Sequence, residues 1–159
     1  MKFLQIALLA AAALLALPAA AQDKPAAADS MQVLREKLKA DKKQLVAANL
    51  PLTEAEAKRF WPIYEGYQKE LAKVNDQTAL LIVDYAKEYN AGSLTDAKAR
   101  ALLDRLIGIE ETEVRMKRAL VQRLAKVLPG TKLARYVQLE NKVRALVKYE
   151  IAGEVPLAQ

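Results

Sequence analysis

Apolar residues recur at every third or fourth position along most of the chain, which is the spacing of an amphipathic helix. Each apolar series is preceded by a Ser, Thr or Asp that can cap a helix. No stretch shows the alternation of apolar and polar residues that is typical of a strand. The pattern therefore predicts an all-α fold of about four helices. They begin at Asp29 or Ser30, Thr53, Thr95 and Thr131.

Two of these helix starts share a short sequence, Leu-Thr-[Glu/Asp]-Ala-x-Ala, at residues 52–57 and 94–99. Thr53 and Glu56 form the Thr-x-x-Glu pattern of a capping box, with Leu52 at the position of a hydrophobic staple. Leu94 and Thr95 repeat the first two residues, whereas the glutamate position of the box holds a lysine. We interpret both stretches as folding signals that start helices.

The ends of the two middle helices are also marked. Gly92 can adopt the left-handed conformation that ends the second helix, and Pro129 and Gly130 end the third. Helices of about 36 and 33 residues would each span roughly 50 Å, too long for a compact globule of this size. We therefore predict an elongated long-helix hairpin with two flanking shorter helices. Such a thin layer buries little apolar surface alone, so we expect a curved antiparallel homodimer.

Pro62 falls inside the second predicted helix, where it removes a backbone hydrogen bond and clashes with the preceding turn. The helix should kink there, or break and restart. Aromatic residues surround this proline: Phe60, Trp61 and Tyr64. One interpretation is a packed aromatic cluster beside the bend. The other is a set of partner-binding rings on a concave surface.

Residues 1–21 read as a secretory signal peptide: Lys2 precedes an apolar run, and the small residues up to Ala21 form a cleavage site. Removal of these 21 of the 159 residues would leave 138, which suits one domain. We predict a flexible leader at 22–29, a single helical domain at 30–153 and a tail at 154–159. The chain has no cysteine, so neither a disulfide nor a lipid anchor is expected, and the predicted location is the periplasm.

Charge is unevenly distributed along the chain. Residues 50–114 carry 8 Lys/Arg and 12 Asp/Glu, whereas residues 115–148 carry 10 Lys/Arg and a single acid. The basic segment either packs against the acidic one or forms a surface for acidic protein clients or an anionic membrane surface. No motif suggests nucleic acid. The candidate partner-binding residues are Arg115, Lys117, Arg118, Arg123, Lys126, Lys132 and Arg135.

Candidate chemistry is sparse. With neither His nor Cys, the chain cannot use catalytic triads of the Ser-His or Cys-His type or zinc-thiolate sites, and no glycine-rich phosphate loop is present. The carboxylates of Glu110 to Glu113 read as a solvated face in which Glu111 and Glu113 pair with Arg115 and Lys117. A carboxylate site for a hard cation at Glu110 and Glu113 is the remaining alternative. We predict no catalytic residue, no metal, no cofactor and no enzyme.

Two Leu-Thr helix starts in an exported helical chain resemble the periplasmic LTxxQ-motif family of Spy/CpxP-like proteins. Leu52, Thr53, Leu94 and Thr95 match that motif, while Glu56 and Lys98 replace its glutamine, as in a divergent subgroup. The resemblance implies long-helix hairpins that form curved dimers, with ATP-independent chaperoning or stress-response functions. It implies metal sensing in some branches, for which this chain lacks the usual His and Cys ligands.

Taken together, these features predict a periplasmic chaperone-like or envelope-stress-response protein that binds partly unfolded or acidic partners. The alternative is a dedicated adaptor or regulatory module that binds one specific envelope protein.

Overall fold

The computed structural model describes residues 41–158. The chain divides into two compact units, residues 1–42 and 43–159, and the contacts given below are those of the second unit. The predicted signal peptide with its cleavage near Ala21, the leader at 22–29 and the start of the first helix lie outside the described residues. The predicted domain bounds of 30 and 153 stay a prediction.

The described chain is helical throughout, with no strand between residues 41 and 158. Residues 41–49 form α1, followed by α2 (Glu54–Asn90), α3 (Asp96–Leu124) and α4 (Gly130–Glu154). The prediction of an all-α fold with about four helices is confirmed. The two longest helices, α2 and α3, contain 37 and 29 residues and are the two arms of the hairpin.

Two of the three predicted threonine caps form, those of the two long helices. The Thr53 hydroxyl accepts from the Glu56 N–H at 3.3 Å, and Glu56 Oε2 accepts from the Thr53 N–H at 2.7 Å, which completes the capping box. Thr95 accepts from the Lys98 N–H at 3.4 Å without a reciprocal bond, because an ammonium cannot accept one. The two related sequences therefore start the two long helices, but only the first start is a complete box.

The turn between α2 and α3 follows the predicted glycine geometry. Gly92 has φ +60°, and the Ser93 N–H donates to the Glu88 carbonyl at 3.0 Å, so the last carbonyls of α2 are bonded. Two ion pairs, Arg105–Asp84 and Lys98–Glu88, connect the antiparallel arms beyond this turn. Glycine at position 92 is therefore required by the reversal of the chain.

The connection between α3 and α4 differs from the prediction. α3 ends at Leu124 and residues 125–127 form turns, so the helix is shorter than predicted. Thr131 does not cap α4, since the helix begins at Gly130 with Pro129 before it and no side-chain cap. The fixed φ of proline prepares the helical start, and the Pro129 carbonyl accepts from the Leu133 N–H at 2.9 Å. Thr131 consequently lies inside the first turn.

α2 continues through Pro62 without a break, contrary to the alternative in which the helix restarts. Pro62 itself is exposed, whereas Phe60 and Tyr64 on either side of it are 0% and 3% exposed. Packing of these two rings stabilises the turn that lacks the hydrogen bond. The helix therefore persists because tertiary contacts outweigh the local cost of the proline.

The packed core lies where α1, the first half of α2, the end of α3 and the start of α4 meet. Phe60, Leu124 and Tyr136 are completely buried, and the Phe60 and Tyr136 rings meet edge to face at 5.1 Å between centroids. The predicted aromatic cluster is confirmed. The other buried members are Val46, Leu50, Tyr64, Tyr67, Leu71, Leu120 and Leu128.

α4 runs parallel to α2 and antiparallel to α3. Glu140 of α4 contacts Gln68 of α2, and further along both helices Arg144 contacts Asn75. Residue numbers therefore rise in the same direction on α4 and α2. Residues 110 and 113 of α3 contact α4 in the opposite order. Within residues 41–158, none of the helices combines the length and apolar composition needed to cross a membrane. The homodimer stays a prediction.

Replacing Pro62 by Ala should raise the free energy of unfolding by about 1–3 kcal/mol, because the substitution restores the hydrogen bond to the Lys58 carbonyl and removes the ring clash. Urea unfolding followed by circular dichroism measures this change. Pro51→Ala is the matched control: Pro51 precedes the cap of α2, where no helical bond is lost, so no gain is expected. A decrease in stability for Pro62→Ala would contradict this explanation.

Candidate binding groove and basic surface

An open groove lies between the second half of α2, the first half of α3 and the second half of α4. It encloses about 520 Å³, a volume in the range of ligand pockets. Leu103 and Leu106, which line it from α3, are 58% and 37% exposed, so water reaches its apolar wall. The wall is made mainly of aliphatic side chains, among them Leu81, Ile82, Leu102, Leu106, Ile109 and Ile151.

One end of the groove is charged and centres on Arg144. Its guanidinium donates to both Glu113 oxygens, from Nε at 2.9 Å and from Nη2 at 2.7 Å. Nη1 donates to Asn75 Oδ1 at 2.6 Å. This two-pronged geometry is the strongest form of an arginine–carboxylate pair. Arg144 therefore joins α4 to α3 and α2 at one point.

Glu113 is the carboxylate in this pair and is only 6% exposed. Burial alone would raise the pKa of Glu113, but the hydrogen bonds and charge of Arg144 outweigh burial and hold that pKa below its ordinary value. The prediction of a solvated face is therefore wrong for Glu113. It does not form the predicted surface pair with Lys117, which donates instead to Asn141 Oδ1 at 3.0 Å.

Lys148 lies beside this pair at the edge of the groove. Its Nζ atom is 3.7 Å from both Glu110 Oε1 and Glu113 Oε2, which is longer than a hydrogen bond, and its side chain is 52% exposed. Among residues 41–158, no group of three or more His, Cys, Asp or Glu side chains forms a candidate metal site. Glu113 is instead paired with Arg144 at 2.7 Å and, more distantly, with Lys148.

A second candidate surface is basic. Arg118, Arg123, Lys126, Arg135 and Lys142 are exposed, and in the described part of the chain no carboxylate lies within ion-pair distance of them. Most of the predicted partner-binding cations therefore face solvent. We refer to these five residues as the basic surface.

Three other predicted cations are engaged within the bundle. Lys132 forms an ion pair with Glu56 at 2.6 Å, and this hydrogen bond lowers the pKa of Glu56. The half-buried Lys117 bonds to Asn141 as above, and the exposed Arg115 donates to the Thr112 hydroxyl at 2.9 Å. The basic segment is thus partly neutralised and partly exposed, a mixture of the two interpretations.

The aromatic candidates belong to the core. Phe60 and Tyr64 are buried, so we do not retain them as partner-binding residues. Trp61 is half-buried, and Lys43 Nζ lies 5.2 Å from the centroid of its ring, within cation–π range. These rings stabilise the junction of α1 and α2. Among the motif residues, Thr53, Glu56 and Thr95 act in helix starts, Leu52 packs against the core, and Leu94 lines the groove.

A buried carboxylate, Glu140, lies among tyrosines in this core and is 4% exposed. Gln68 Nε2 donates to Glu140 Oε1 at 3.3 Å. Burial first, and then the Glu140 charge, raise the pKa of Tyr64 to about 12 and raise the pKa values of Tyr67 and Tyr136 as well. The tyrosine hydroxyls consequently remain protonated at any physiological pH.

Sequence reasoning missed the groove and the role of Arg144, although one signal was present. Glu113 occupies the same helical stripe as Ile109, Met116 and Leu120, where a charge needs a buried partner. That partner lies 31 residues away, on another helix. Comparisons of the chain with protein-family models, with curated proteins and with solved structures gave no match.

Arg144→Met should lower the free energy of unfolding by roughly 3 kcal/mol, because it leaves the Glu113 carboxylate buried without its partner. Urea unfolding measures the loss. The double variant Glu113→Leu with Arg144→Met should recover most of it. Arg105→Met removes an exposed pair and should cost less than about 1 kcal/mol. Equal losses for Arg105→Met and Arg144→Met would show that the buried pair has no special weight.

The pair also predicts a pH dependence. Because the pKa of Glu113 is lower in the folded chain than in the unfolded one, its contribution to stability is complete above the unfolded pKa of about 4.3. The contribution disappears as the pH falls through the folded pKa. The stability difference between wild type and Glu113→Gln should therefore shrink below about pH 4. A difference that stays constant down to acid pH would contradict the assignment.

Proposed function

We propose that the protein is an ATP-independent, chaperone-like or stress-response protein of the periplasm that holds partly unfolded or acidic protein partners. The observation that carries the proposal is the solvent-facing side of α4. Arg135, Lys142, Leu146 and Tyr149 lie there on one helical face, at spacings of seven, four and three residues. We call these four residues the outer face of α4.

The outer face joins charge to exposed apolar area. Its two cations belong to the basic surface, and Leu146 and Tyr149 are 66% and 80% exposed. The free energy of binding becomes more favourable by about 25 cal/mol for each Å² of exposed leucine surface that a partner covers. A tyrosine adds a large ring with few rotatable bonds. Both side chains can therefore contact the apolar segments of a partly unfolded chain.

The cations supply attraction at longer range. Arg118 and Arg123 add exposed positive charge on α3, and Lys126 adds more in the turn that follows it. Unpaired surface cations steer acidic chains toward the protein and are screened within roughly 10 Å at moderate salt. Contacts of this kind are weak and reversible, which suits the holding and release of a client without a nucleotide. The signal-like residues 1–21 support the location.

The proposal predicts that the purified protein, in molar excess and at low salt, suppresses aggregation of an acidic client that is diluted from denaturant. The paired substitutions Leu146→Ser and Tyr149→Ser should reduce suppression at least about threefold, since both apolar contacts are lost. Arg135→Gln with Lys142→Gln should slow capture at low salt and have little effect at high salt. Light scattering over time measures both effects.

Matched controls lie on α2. Leu80 and Val83 are 61% and 63% exposed, and Lys58 and Lys73 are exposed cations. The variants Leu80→Ser with Val83→Ser, and Lys58→Gln with Lys73→Gln, should leave suppression unchanged. Equal effects on both helices would contradict the proposal. Stoichiometric capture of a single envelope protein without suppression would favour the adaptor function instead, and binding only to anionic vesicles would favour a membrane contact.

A further inference from the structure

The groove is an apolar site left open within an otherwise well-packed bundle. At the other end of the molecule the same helices close completely, with Phe60, Leu124 and Tyr136 at 0% exposure. In the groove, aliphatic side chains from three helices face a space of about 520 Å³. Apolar surface in contact with water costs roughly 25 cal/mol per Å². An apolar ligand that enters the groove removes this cost for the surface it covers.

The shape of the groove favours a chain-like ligand. Its apolar lining on α3 extends from Ala99 to Ile109, a distance of about 15 Å at 1.5 Å per residue. The groove runs along the helix axes, and its walls are helices whose backbone groups are bonded within the helices. An extended peptide laid in it would lose backbone hydrogen bonds to water without replacing them. A hydrocarbon chain has no such groups to satisfy.

The charged end of the groove, with Arg144 and Lys148 beside Glu110 and Glu113, offers hydrogen-bond donors to an anionic head group. Arg144 uses three of its five N–H donors, on both Glu113 oxygens and on Asn75. The three N–H donors of Lys148 have no acceptor within hydrogen-bond distance in the described chain, and Nζ is 3.7 Å from the carboxylates of Glu110 and Glu113. The Glu113 charge is balanced by Arg144, and Glu110 is half exposed, so its carboxylate can stay in water.

We propose that the groove binds a free long-chain fatty acid, with the hydrocarbon chain against Ile82, Leu102, Leu106 and Ile151 and the carboxylate at Lys148. The site is distinct from the outer face of α4, and the proposal does not rest on the proposed function. Lys148 donates to the carboxylate without giving up an existing hydrogen bond. The ligand covers the aliphatic wall that water otherwise contacts.

Titration of the delipidated full chain with palmitate, below its critical micelle concentration, tests the proposal. Calorimetry should show saturable binding of one palmitate per chain. Leu106→Trp, which places a large ring in the groove, should weaken binding at least about tenfold. Lys148→Gln should weaken palmitate binding about fivefold, as for a half-exposed charge pair, and should leave binding of palmityl alcohol unchanged.

Lys73→Gln removes an exposed cation far from the groove lining and is the matched control, with no expected change. Circular dichroism checks that each variant is folded. If Leu106→Trp does not fold, Lys148→Gln still tests the site. Absence of saturable binding would overturn the proposal. So would equal affinity of wild type for palmitate and palmityl alcohol, or equal affinity of wild type and Lys148→Gln for palmitate. None of these outcomes changes the aggregation assay on the outer face of α4.

Discussion

The Arg144 guanidinium contacts two other helices at once, through both oxygens of Glu113 on α3 and through Asn75 on α2. A buried charge is tolerated only when it is fully paired, so these three residues must stay in register. The register of α4 against the hairpin follows from this contact and from the rings around Tyr136. Because a guanidinium and a carboxylate fill the space between α3 and α4, aliphatic side chains cannot close it at that point.

The bundle of described helices consequently packs differently at its two ends. Near Phe60 and Tyr136 the helices pack ring against ring and exclude water. Beyond Arg144 the helices do not pack closely, and the groove lies between them. On the other side of α4, Leu146 and Tyr149 are exposed to solvent. Stability therefore comes mainly from the closed end, and the open end keeps apolar surface available for binding. The basic segment of the sequence is likewise divided: some of its cations pair within the bundle, and the others form the basic surface.

Local signals in the sequence predicted local structure well. The capping box of Thr53, the Thr95 cap and the left-handed Gly92 depend on neighbours within a few residues, and all three form. Features that depend on distant residues were not predictable in this way. Glu113 looked solvated because its partner Arg144 is far away in sequence, and the break at Pro62 does not occur because the aromatic core holds the turn. The groove is an absence of packing between three helices, which no single helical pattern reveals.

We infer that the Arg144–Glu113 pair keeps the groove open, and distances between spin labels test this. The cysteine-free chain allows spin labels at introduced cysteines on exposed positions, Arg100 and Glu150 at the groove end and Gln122 and Gln138 at the closed end. Double electron–electron resonance then measures each distance in wild type and in the variant Glu113→Leu with Arg144→Met. We predict that the 100–150 distance shortens as the helices approach the roughly 8–10 Å axis spacing of packed helices, while the 122–138 distance stays constant. An unchanged 100–150 distance, or equal shortening at both ends, would contradict the claim.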